Sequence, residues 1–180
     1  MQKRTLPIHD MAKRHHGLTA AVAESYLEAA RVCLDRHHES PTDFEIANSG
    51  RLTEAVVEWE KADERTRGAW ANETDATEAG AYACALAAVE LSDGLVAVHR
   101  AETRTGADYY IAPVGAAPED LEDCLRLEVS GVDRGEQSAV DQRLKEKLGQ
   151  AAAGISNLPA MAGVVGFRAR VIHLSRVGES

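Results

Sequence analysis

Apolar residues recur at helical spacing over residues 18–37, where Leu18, Val22, Tyr26, Ala29, Ala30 and Cys33 share one side of a 3.6-residue turn. Thr19 is placed to cap this helix, and Ser40-Pro41 closes the region because the residue before a proline avoids the helical basin. Phe44-Glu45-Ile46 alternates briefly and Asn48-Ser49-Gly50 is a turn signal. Residues 53–60 then read either as the returning strand of a hairpin or as a helix, since Leu52, Val56 and Trp59 also fit the helical period. Residues 1–16 show neither period and predict a mobile arm, and the polar residues 61–72 predict a loop.

The second half is more regular. Asp75 or Thr77 is placed to cap a helix that runs to Leu91 and stops at Ser92-Asp93-Gly94. Strands are predicted over 95–103, 108–112 and 125–130, the last with strict alternation. A helix over 138–153 carries the stripe Val140, Leu144, Leu148 and Ala151, and 163–174 reads as one long final strand. The expected class is therefore α/β of the α+β kind. An αβββαβ core occupies 73–178, with an arm, a helix and a hairpin over 1–72 packed on it, as a separate unit or within a single domain.

Composition narrows the function classes. At 180 residues, 44% hydrophobic and 27% charged, the chain has an ordinary globular balance, and its alanine-rich apolar fraction predicts close-packed helices. The longest apolar run, 81–89, is too short to span a bilayer, so no membrane segment is expected and the protein is read as cytoplasmic. Cys33, Cys84 and Cys124 lie far apart and read as reduced core thiols. A net charge of −9 disfavours a non-specific nucleic-acid coat while leaving room for a local basic groove. The pairs His15-His16 and His37-His38 read as solvated helix-end histidines, and Trp59 and Trp70 as anchors of the loop between them. Residues 119–136 read as a solvated acidic loop.

One constellation carries chemistry. Alternation sends Leu125, Leu127 and Val129 to one face of their strand and Arg126, Glu128 and Ser130 to the other. Asp108 opens the preceding strand just after Thr105-Gly106. If the two strands are neighbours, the carboxylates of Asp108 and Glu128 meet at one end of the sheet, and a divalent cation offsets their repulsion. Glu78 shares a helix face with Tyr82, Ala85 and Val89, so it too needs a partner, whereas Glu90 falls on another face.

In this order the residues resemble the PD-(D/E)XK nuclease superfamily, which has the restriction-endonuclease-like fold. The likeness spans roughly residues 75–175 and is carried by Gly106-Ala107-Asp108-Tyr109-Tyr110-Ile111 and Leu127-Glu128-Val129-Ser130. It implies Mg²⁺-dependent (or Mn²⁺-dependent) phosphodiester hydrolysis, with Asp108 and Glu128 as catalytic metal ligands and Glu78 completing the metal site. The family places a lysine two residues after the glutamate, where this chain has Ser130, a residue able to hold a water. Arg126 on the same strand face, Arg100 or Arg104 on the neighbouring strand, and Lys145 on the last helix are the candidates to supply the missing charge. The alternative expectation is a non-catalytic interaction or adaptor protein on the same scaffold. The replaced lysine, the acidic balance and the small-residue helices point that way, and its partner would be another protein or a second copy in a homodimer.

Overall fold

The computed structural model describes residues 3–116, 121–154 and 156–179. In chain order its elements are β1 (Arg4–Thr5), α1 (Ala20–His37), β2 (Thr42–Asn48), β3 (Arg51–Val57), α2 (Glu64–Ala69), α3 (Glu73–Asp93) and β4 (Leu95–Arg100). β5 (Tyr109–Pro113), β6 (Leu125–Val132), α4 (Gln137–Ala153), β7 (Ala160–Gly166) and β8 (Val171–Arg176) follow. Among the described residues the strands form one mixed sheet in the order β1-β3-β2-β8-β7-β6-β5-β4.

One end of the sheet is a meander, β4 to β5 to β6, with antiparallel pairing and β4 at the edge. Helix α4 then crosses over to β7, which lies parallel to β6. A parallel pair needs such a crossover, whereas antiparallel neighbours need only a turn. β7 returns as β8 in an antiparallel hairpin, and β2 joins β8 in parallel, so the N-terminal hairpin continues the same sheet.

Helices cover the two faces. α3 lies on one face with Leu127, Val129, Met161 and Val165 beneath it, and α4 packs Val140 and Leu144 on Ala162 and Val164 of the other. The alternation of β7 separates these two sets. α3 is buried almost all round from Gly80 to Val89, because α1 covers the side that the sheet does not. The helices approach closely at Gly80, where a Cβ would lie 3.0 Å from the Ala30 backbone. Asn72 caps α3 by accepting from the Asp75 amide, and Gly94, in the left-handed region with φ 66°, ends it.

Several expectations change. Residues 53–60 do not form a helix; their N-terminal part is strand β3. The polar segment 61–72 contains the short helix α2, capped by the Asp63 carboxylate on the Thr66 amide. The single final strand is a hairpin: Phe167 to Arg170 turn the chain, with Arg170 at φ 57°. The four turn residues include no glycine or proline, Gly166 just before them belongs to β7, and the buried Phe167 makes the segment read as strand.

The expected mobile arm is ordered. Leu6, Ile8 and Met11 are almost fully buried, and the segment runs from β3, where the Leu6 amide donates to the Val56 carbonyl, to the outer edge of β4. There the Gly17 amide donates to the Ala97 carbonyl, and the Ala97 amide donates to His15 Nδ1. His15 is therefore a wholly buried histidine rather than a solvated one. His37 and His38 also have partners, Asp133 and the Phe167 carbonyl.

Candidate functional site

β6 outruns its neighbour. Its pairing with β5 ends at Tyr109 opposite Leu127, while its pairing with β7 continues to Val132. Asp108 occupies the point where the strands part. Its amide donates to the Leu127 carbonyl, and its Oδ2 accepts from the Val129 amide at 2.7 Å. The side chain thus closes part of the strand edge that β5 leaves open.

Beyond this point a cleft of about 550 Å³ opens between the first half of α3, the end of β6 and α4. Its lining includes Glu73, Glu78, Asp133, Arg134, Arg143 and Lys147, together with Ser130. Acids and bases balance there, in contrast to the net charge of −9 over the whole chain. The size is within the ~300–1,000 Å³ usual for small-molecule sites.

Asp108 and Glu128 stand where the β5-β6 pairing ends but are held from different helices, Asp108 by Tyr82 of α3 and Glu128 by Lys147 of α4. Neither is among the residues lining the cleft. Asp108 Oδ1 accepts from the Tyr82 hydroxyl at 2.9 Å and lies 3.7 Å from Arg100 Nη2. Burial pushes the Tyr82 hydroxyl up, so it stays protonated and donates. Arg100 donates to the same hydroxyl oxygen at 3.3 Å, and its guanidinium lies 5.0 Å from the centre of the Tyr82 ring and 4.8 Å from that of Tyr109. Glu128 Oε1 accepts from Lys147 Nζ at 2.8 Å. Burial pushes the Glu128 carboxyl up, the Lys147 hydrogen bond and charge pull it down, and the Asp108 charge pushes it up again.

The other expected residues divide. Glu78 is exposed on α3 and lines the cleft, but among the described residues no three or more His, Cys, Asp or Glu side chains gather where one metal ion could touch them all. Glu78 therefore does not complete a three-carboxylate site. Ser130 is buried and accepts from Arg143 Nη1 at 3.3 Å. Arg126 is buried and donates to the carbonyls of Leu158, Thr105 and Ala151, tying three segments together away from the cleft lining. Lys145 is exposed and outside that lining; the lysine that reaches Glu128 is Lys147. Both flank the apolar stripe of α4, about 100° from Leu144 or Leu148, and only the handedness of the packing selects between them.

Tyr82 and Arg143 carry no motif signal of their own, although Tyr82 shares the helix face of Glu78. Elsewhere, Trp59 anchors its loop as expected, donating from Nε1 to Asp35 Oδ1 at 2.6 Å. Cys33, Cys84 and Cys124 are all buried, and burial pushes the Cys33 thiol up to about 12. Of the stretch 119–136 read as an acidic loop, 119–120 lie outside the described residues and 125–132 are strand β6. Among those described, no helix is long and apolar enough to cross a membrane. Comparison with known proteins finds no family model, no curated protein and no solved structure that matches the chain.

Proposed function

We propose that the wall of the cleft where Lys147 meets Glu128 is the active site of a nuclease-like, Mg²⁺-dependent (or Mn²⁺-dependent) phosphodiesterase. Asp108 and Glu128 lie just outside the cleft lining, and Lys147, from α4, stands in for the lysine missing at Ser130. The observation that carries this reading is the contact of Lys147 Nζ with Glu128, one residue from the amide that holds Asp108. The element order supports it. α3, the β4-β5-β6 meander, the α4 crossover and parallel β7 follow the αβββαβ sequence of the PD-(D/E)XK superfamily.

The donor set suits a hard divalent cation held by two carboxylates. Asp108 accepts one hydrogen bond on each oxygen and keeps a lone pair on each, and Glu128 accepts on Oε1. Mg²⁺ is commonly held by one or two carboxylates, with waters and substrate phosphate as its other ligands. Asp108 and Glu128 would hold it. When bound, such a cation makes water more acidic and neutralises charge on the phosphate. Tyr82 and the Val129 amide orient Asp108, Lys147 sets the charge state of Glu128, and its ammonium is placed to meet negative charge developing on a phosphoryl oxygen.

Isothermal titration with Mg²⁺ and Mn²⁺, followed by nicking assays on plasmid and single-stranded DNA, tests the reading. Native protein is expected to bind metal at millimolar concentration or below and to cleave. Asp108→Ala should abolish both, and Lys147→Met should lower the rate by ~10²–10³, as for loss of one electrostatic donor. No metal binding, or identical behaviour of Asp108→Ala, overturns it.

One observation favours the non-catalytic alternative. Each of the two carboxylates already has protein partners that hold it in place, as a purely structural pair would. A stable oligomer in light scattering, with no cleavage, is its expected outcome.

A further inference from the structure

Arg143 lies four residues before Lys147 on α4, on the same side of the helix and about 6 Å along its axis. That spacing is close to the separation of neighbouring phosphates along a nucleic-acid strand. Arg143 Nη1 donates to Ser130 Oγ, and its Nε lies 3.4 Å from Glu146, which leaves Nη2 without a protein acceptor among the described residues. Ser130 is 8% exposed and lines the cleft. Its oxygen accepts from Arg143, but its own proton has no acceptor among the described residues. The Ser130 proton and Arg143 Nη2 are thus two neighbouring donors left for an acceptor from outside, which is half of an anion site.

From this juxtaposition we propose that Arg143 and the Ser130 hydroxyl form a second phosphate seat, one helical turn from Lys147, so that the cleft takes a single-stranded phosphodiester chain. The inference rests on the reading of the cleft as a phosphodiester site and names the form of its substrate. Glu78 limits what fits. It is exposed on the α3 side of the same cleft and repels any phosphate not matched by a cation, so a duplex with two charged backbones is disfavoured. The charge of −9 does the same at longer range. A strand seated along α4 meets Lys147 and Arg143 in turn, and the position where the family carries lysine serves binding of the flanking phosphate.

Fluorescence anisotropy with a labelled ten-nucleotide oligothymidylate, in EDTA and over a salt series, tests this seat separately from cleavage. Native protein should bind the single strand more tightly than a duplex of equal length. Arg143→Gln should weaken binding at least tenfold and flatten the slope of log K against log salt by ~0.7, the loss of one phosphate contact on a single strand. Ser130→Ala should weaken binding several-fold with the slope kept, and the distant Lys61→Gln should behave as native. Tighter binding of duplex, or Arg143→Gln and Ser130→Ala variants that bind as native with unchanged circular dichroism, overturns the seat even where Asp108-dependent cleavage is found. Conversely, strand binding that depends on Arg143 without any metal-dependent cleavage keeps the seat and removes the hydrolytic reading.

Discussion

At the scale of single residues, the candidate site depends on how Glu128 is kept ionised. Burial raises its carboxyl and Lys147, 2.8 Å away, opposes that. Lys147→Met removes the opposing charge, and an unpaired buried carboxylate responds by keeping its proton to higher pH. A side-chain NMR titration should show Glu128 titrating at higher pH than in the native protein. The effect on stability follows in sign. A carboxyl raised in the folded state binds its proton more tightly there than in the unfolded chain, so stability falls as pH rises from about 4.5 through the raised value. That fall should be larger in Lys147→Met, read as the urea midpoint between roughly pH 4 and 7. Tyr82→Phe tests the other carboxylate. It removes a hydrogen bond to a charged group, costing ~1.5–3 kcal/mol, while the Val129 amide continues to hold Asp108. The expected drop in Tm is about 2–4 °C per kcal/mol. The sequence placed Asp108 and Glu128 at one end of neighbouring strands because alternation assigns strand positions, but the helical wheel put Glu78 on the apolar face of α3, whereas it is exposed on the cleft side. Lys147 was not legible, because Lys145 and Lys147 flank the same stripe symmetrically.

At the scale of elements, small residues decide how closely helices approach. Glycine in a helix interior is usually worth replacing, since alanine gains ~0.5–1 kcal/mol of backbone entropy. Gly149 of α4 has open space where a Cβ would stand, so Gly149→Ala should raise stability by that amount. Gly80 of α3 faces the Ala30 backbone at 3.0 Å, and backbone cannot rotate out of the way. The cost of overpacking, ~1–3 kcal/mol, exceeds the entropic gain, so Gly80→Ala should lower stability. Thermal unfolding of the two variants should therefore shift in opposite directions. The same contrast explains what the element pattern revealed. Helices α1, α3 and α4 and the strands of the meander carry strong periods and ordinary caps, and they were readable to within a few residues. The β7-β8 hairpin was not, because its turn at Phe167 to Arg170 lacks glycine, proline, asparagine and aspartate and buries an aromatic ring. The strand β3 was ambiguous because Leu52, Val56 and Trp59 satisfy both periods; its antiparallel pairing with β2 decides the matter.

At the scale of the whole molecule, residues 3–17 act as a strap from one side of the sheet to the other. Its apolar residues are too few and too unevenly spaced to show a period, so nothing in the sequence separates it from a loose tail. Its end on β4 depends on the protonation of His15. The Ala97 amide donates to Nδ1, so that nitrogen carries no proton, and Nε2 donates to Glu90 Oε2 at 2.7 Å, with Arg14 on the other oxygen of Glu90. Protonation of Nδ1 would set two N–H groups against each other. Burial, the largest influence, holds His15 below the ordinary 6.5, despite Glu90. The unfolded chain therefore takes up this proton first, so the contribution is complete above about pH 6.5 and declines as pH falls toward the folded value. Hydrogen exchange should show the Ala97 and Gly17 amides losing protection on mild acidification before the β6-β7 amides do. Deleting residues 1–17 removes the strap altogether. Leu6, Ile8 and Met11 contribute ~1.5–3 kcal/mol each by burial, a sum comparable to the ~5–15 kcal/mol total stability of a typical domain. The deletion also uncovers the β4 edge, whose free amide and carbonyl at Ala97 are then available to a neighbouring strand. The truncated chain should unfold at much lower urea and form large species in light scattering, whereas Leu52→Ser, at an exposed position of β3, should leave both measurements unchanged. A truncated protein that stays monomeric, with an unchanged midpoint, would show that the strap holds nothing.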